Sequence, residues 1–212
     1  MSGGLLLRGF DSFVLRNPLL FSAGFGTTKN VVADLLIQKQ VEGRESIDWR
    51  RLGTFASFGA VWVGAGQYML FNKLLPRAFP GLLQGKLLPA GCAVAFDQLV
   101  HMPFMYLPFF YSIREFAYGE GGFDQACIEG GLAAWKTNVI EDMAAQWALF
   151  VPLQSINFTL VPPHFRNPLL ITAGFFWVMG LSFFRGDKER EEAGQQQIQI
   201  QAKPAAGGGS LG

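Results

Sequence analysis

The chain has 212 residues, of which half are hydrophobic and 16% are charged, against about 25% in an ordinary soluble domain. That shortfall excludes a heavily solvated surface and a disordered chain, and a net charge of +1 excludes a global basic field able to hold nucleic acid. Two cysteines, Cys92 and Cys127, are too few for a disulfide scaffold or a zinc site; 26 glycines and 21 phenylalanines suit helices that pack closely in lipid.

Residues 1–16 read as a short N-terminal anchor, because Leu5 to Leu7 is too brief for a secretory signal. From Asn17 to Phe184 the chain is organised by long stretches without charge, and a bilayer crossing needs about 20 apolar residues. Pro18 to Gln38 is the first and weakest stretch, interrupted by Lys29 and Asp34. Asn17 followed by Pro18 predicts a helix start. Leu52 to Phe71 has no charge, and its Ala56, Ala60 and Gly64 offer a small face for a neighbouring helix. Leu87 to Ile113 holds only Asp97 and His101 as ionisable groups. It has Gly91 and Ala95 as a second small pair, and Pro89, Pro103 and Pro108 predict a kink.

Asp124 to Asp142 has another character. Ile128, Leu132, Trp135 and Val139 share one helical face, which predicts an amphipathic helix on the membrane surface. Met143 to Pro163 follows as a further span or buried piece. Asn167 to Phe184 is the last span, again opened by Asn and Pro: Arg16-Asn17-Pro18-Leu19-Leu20 returns as Arg166-Asn167-Pro168-Leu169-Leu170. Each arginine is expected at headgroup level. Residues 185–212 read as a polar, Gly-rich tail. The fold class expected is all-α: a polytopic membrane bundle of about four transmembrane helices plus an amphipathic surface helix. Asn72 to Lys86 has three basic residues and no acid, whereas Ser112 to Asp142 has two basic and six acidic. The positive-inside rule puts the first of these, with both termini, in the matrix or cytosol.

No catalytic signature is present, and neither a cofactor nor a metal site is expected: there is no phosphate loop, no zinc-binding helix motif and no nucleophile elbow. The informative residues are polar ones inside spans, which are costly in lipid and face the bundle or water. Thr27, Asn30, Asp34 and Gln38 form a narrow stripe at the helical period, and Asp97, Gln98 and His101 form a second. They predict either a polar strip along an aqueous path or hydrogen bonds that fix helix order.

Several motifs then occur in one order: Asp34-x-x-x-Gln38, Asp48-x-x-Arg51, Gly64 with Phe71, and Asp97-Gln98-x-x-x-x-Pro103. After them come Pro152-x-Gln154-x-x-Asn157-Phe158-x-x-Val161-Pro162-x-x-x-Arg166 and Trp177 before Leu181-Ser182. This order resembles the Mpv-seventeen/peroxisomal-membrane-protein-twenty-two family of small four-span organelle membrane proteins. The resemblance implies a mitochondrial inner or peroxisomal membrane and a weakly selective pore. The alternative is an accessory subunit of a larger mitochondrial membrane complex such as a respiratory-chain assembly. The partners expected are the lipid bilayer and other membrane subunits or a second copy, without nucleic acid.

Overall fold

A computed structural model describes residues 14–180, so the anchor up to residue 13 and the tail from 185 lie outside the described residues. Five helical rods follow one another. The first, α1, is Pro18–Leu36 continued by a π turn at Ile37–Val41. The second, α2, covers residues 49–78: Trp49–Phe58, wide π turns at Gly59–Gly66, then Gln67–Met69, Leu70–Leu74 and Leu75–Ala78. The third, α3, covers residues 87–118 as Leu87–Phe96, a π stretch at Asp97–Tyr106, and Leu107–Tyr118. The fourth, α4, is the unbroken Gln125–Leu160, and α5 runs from 163 to 180.

The rods alternate in direction, as side-chain pairings show. Gly64 meets Ser22, Gly59 meets Gly26, Phe55 meets Asn30 and Arg51 meets Asp34. Rising numbers on α1 therefore meet falling numbers on α2. Between α3 and α4, Gly131 lies on Ser112 and Gln154 reaches Asp97, so these two are also antiparallel. Asn167 meets Ser22 and Gly174 stands by Lys29, which makes α5 parallel to α1.

Several expectations change. The amphipathic segment is no separate surface helix; it is the first half of α4. Its Trp135 and Val139 pack on Met102, Leu107 and Tyr111 of α3, so the apolar face is spent on a neighbouring helix. Asn167 does not cap a helix. It lies four residues inside α5 and is fully buried, donating from Nδ2 to Ser22 Oγ at 3.0 Å and the Gly64 carbonyl at 3.2 Å. The close approach of α2 to α1 runs through Gly59 and Gly64 rather than Ala56, Ala60 and Gly64. The π winding of Gly59–Gly66 places residues five apart, not four, on one face. A methyl group on Gly59 would strike the Gly26 carbonyl. Gly91 has nothing within 4 Å of where its side chain would stand, and Ala95 is exposed, so this small pair faces outward. Pro103 lies inside the π stretch, where wider turns absorb the carbonyl that its missing N–H leaves unpaired.

The burial pattern is inverted relative to a water-soluble domain. Arg51, Asp97, His101, Gln154, Asn157, Arg166 and Asn167 are each 2% exposed or less, while Ile140, Leu87, Leu88, Leu160, Leu20, Val61 and Phe176 are each at least 67% exposed. Apolar core remains between the polar sites, chiefly Phe71, Phe158, Leu75, Leu82 and Leu170. Among the described residues, no helix is long and apolar enough to cross a membrane.

Candidate functional site

Two polar networks sit within the bundle. The first joins the α1–α2 hairpin. Asp34, on α1, is 4% exposed and takes the Arg51 Nε at 2.6 Å and the Gln38 Nε2 at 2.7 Å. Arg51 spreads its Nη1 over both oxygens of Glu42, at 2.7 and 2.9 Å, and lies over the Tyr118 ring at 4.4 Å. Gln38, fully buried, accepts the Asp48 amide at 2.8 Å, while the Asp48 carboxylate caps α2 through the Arg51 amide. Burial opposes the Arg51 charge, and the bonds to Asp34 and Glu42 offset that cost. The π turn at Ile37–Val41 and the short 42–48 connection put Arg51 opposite Asp34.

The second network joins α3 to α4. Asp97 is met by His101 Nδ1, Gln98 Nε2 and Gln154 Nε2, each at 2.8 Å. Asn157 donates onward to Gln154 Oε1 at 3.4 Å. Thus Asp34 is brought to Gln38, and Asp97 to Gln98 and His101, and each group is completed by a residue from another helix, Arg51 and Gln154. Thr27 stands apart from both: its hydroxyl bonds back to the Ala23 carbonyl. Asn30 donates to the Phe55 carbonyl at 3.0 Å and pins the hairpin.

Arg166, expected at the headgroups, is instead 1% exposed. Its guanidinium collects the carbonyls of Val161, Leu82 and Phe158 at 3.0–3.1 Å. It ties the α4–α5 turn at Pro162 to the loop before α3. Phe158 is fully buried and edge-on to Phe71. Pro152 lies within the continuous α4. Trp177 packs edge-on to Phe150.

All five rods wall one cavity of about 430 Å³. Asn30, Asp34 and Arg51 line it, with Asp97, Gln98 and Gln154, Tyr111 and Asp142, and Trp177 from α5. His101 and Gln38 stand behind this wall, as do Thr27 and the Pro103, Asn157 and Phe158 positions. Tyr111 donates to Asp142. Sequence reasoning passed over Lys29, Glu42 and the Tyr111–Asp142 pair as site residues. Lys29 was visible only as a flaw in an apolar run, and the Tyr111–Asp142 pair depends on helix register. Among the described residues, no group of three or more His, Cys, Asp or Glu could hold a metal.

An all-helical bundle with buried polar networks, a mainly apolar cavity into which a few charged groups project, and large exposed apolar side chains defines a class: a helix bundle organised around buried polar networks. Residues 126–182 match the Mpv17 / PMP22 family. The chain is also 30% identical over 151 residues to Protein sym1 of Schizosaccharomyces pombe, covering 71% of this chain and 68% of that one. The chain belongs to the Mpv17 / PMP22 family, whose members are organelle membrane proteins. No solved structure matches it.

Proposed function

We propose that the chain spans an organelle membrane and that its interior cavity is a permeation path of weak ion preference. The observation that carries this reading is the inverted burial: large apolar side chains are exposed on all five rods, while ionisable and amide side chains such as Arg51, Asp34, Asp97 and Gln154 are buried inside. Exposed apolar surface on this scale marks contact with lipid or protein, and ionisable groups within a bundle mark pathways for polar solutes. Buried polar residues lower the mean hydropathy of each rod, and exposed hydroxyls such as Thr28, Ser57, Ser155 and Thr172 bond back to carbonyls of their own helices. The rods are long enough. At ~1.5 Å per residue, the 36-residue α4 is roughly 54 Å long, against a hydrocarbon thickness of about 30 Å.

Both signs of charge line the cavity, with Arg51 and Lys29 against Asp34 and Asp97, which supports weak rather than strict selectivity. Membership of the family supports the organelle membrane; the mitochondrial inner membrane is the site we assign, to be separated from the peroxisomal membrane by organelle fractionation. The pore is tested by reconstitution in planar bilayers. Unitary conductance whose cation preference falls in Asp97→Asn is the expected result. A silent bilayer, or conductance indifferent to Asp97→Asn, would overturn the reading.

A further inference from the structure

Among the described residues, two cations that line the cavity, Lys29 and Arg114, carry no ion pair, and Arg114 lies over the Tyr118 ring. Lys29, on α1, lines the wall, and no hydrogen bond or ion pair ties its ammonium among the described residues. The acids nearby in the wall are already engaged. Asp34 holds Arg51 and Gln38, Glu42 holds Arg51 and Arg44, and Asp97 holds His101 and two amides. An ammonium inside a bundle without a partner is costly, and an oxyanion brought by a ligand removes that cost. The cavity offers the space, and Gly174 of α5 stands close by, where a methyl group would be in ordinary contact with Lys29 Nζ at 3.9 Å. One helical turn further along α5, Trp177 also lines the cavity, with Ala33 on the facing helix. A charge beside an apolar wall, in a cavity of about 430 Å³, has the form of a small-molecule site.

We propose that the α1–α5 end of the cavity binds a small organic carboxylate, its oxygens paired with Lys29 and its apolar body against Trp177. The site stands on the cavity and on Lys29, not on conduction, so the bilayer measurement and the binding measurement can fail separately. The test uses the full chain in detergent micelles and three probes of one shape: benzoate, benzyl alcohol and benzylamine. Benzoate is expected to raise the thermal unfolding midpoint saturably, and the neutral and cationic probes to leave it in place. Lys29→Gln should weaken benzoate by at least about tenfold, one decade in Kd, and Lys29→Arg should retain it. Lys29→Gln removes no bond of the fold, so its own unliganded midpoint serves as the reference. Gly174→Leu keeps the charge and fills the space, and should also abolish the shift. Benzoate binding unchanged in Lys29→Gln, equal stabilisation by benzyl alcohol, or no stabilisation by benzoate would each overturn the proposal.

Discussion

Arg51 is the residue on which the α1–α2 hairpin turns. It is 1% exposed, bonded to two carboxylates and stacked on Tyr118. Truncating one member of a buried pair strands the other charge, which costs about 3–5 kcal/mol. Arg51→Met should therefore destabilise by that amount in chemical denaturation of the micellar protein. Adding Asp34→Asn should recover part of the loss, because the stranded charge is then gone. A double variant no better than the single one would mean the pair contributes nothing through charge. Gln154 makes a gentler case. Gln154→Leu removes one donor from Asp97 but leaves His101 and Gln98 in place, so a loss of about 1–3 kcal/mol is expected, read by the same denaturation. The sequence showed these polar residues plainly, since an acid within an apolar run stands out. It did not show their partners: Arg51 lies 17 positions from Asp34 and Gln154 lies 57 from Asp97, distances that only helix register closes.

At the scale of the element, glycines decide which helices touch. Gly26 and Gly59 bring the backbones of α1 and α2 together, whereas Gly91 faces open space. An added methyl group should consequently have opposite signs at the two places. Gly59→Ala should cost about 1–3 kcal/mol through overpacking, and Gly91→Ala should be neutral or gain up to about 1 kcal/mol from helix propensity. Thermal unfolding of the two variants side by side checks this, and equal effects would contradict the register described here. Small-residue patterns in the sequence pointed to α2 as a contact helix, which it is. They named Gly64 correctly but paired it with Ala60 and Ala56 instead of Gly59, because a spacing of four assumes α-helical winding, and Gly59–Gly66 is wound as a π-helix. Period-based reading fails in the same way at Asn167. Asn followed by Pro marks a helix start in isolation, but here α5 has already begun and the amide is needed to bind α1 and α2.

For the whole molecule, the number and direction of the rods follow from α4. A sequence reading separates its charged first half from its apolar second half, because the composition changes at Met143. The backbone does not break there, since helix propensity is continuous across it. One rod replaces two, and five rods alternate. As a result the 79–86 loop and the start of α1 share one end of the bundle, while the 42–48 and 119–124 connections share the other. The first end carries Arg16, Arg77 and Lys86 without an acid; the second holds Arg44 among Glu42, Glu45, Asp48, Glu120 and Asp124. In a bilayer these ends face opposite compartments, and the basic end is expected on the matrix or cytosolic side. Single cysteines at Arg16, Lys86 and Gly122, in a chain with Cys92→Ser and Cys127→Ser, should divide accordingly. With the basic end in the matrix, a membrane-impermeant maleimide added to mitochondria stripped of the outer membrane should label Gly122→Cys, and Arg16→Cys and Lys86→Cys only after the inner membrane is opened; with the basic end in the cytosol, at a peroxisomal membrane, the two sets exchange. Labelling of Lys86→Cys together with Gly122→Cys would contradict α3 as a complete crossing, and labelling of Arg16→Cys apart from Lys86→Cys would contradict the α1–α2 hairpin.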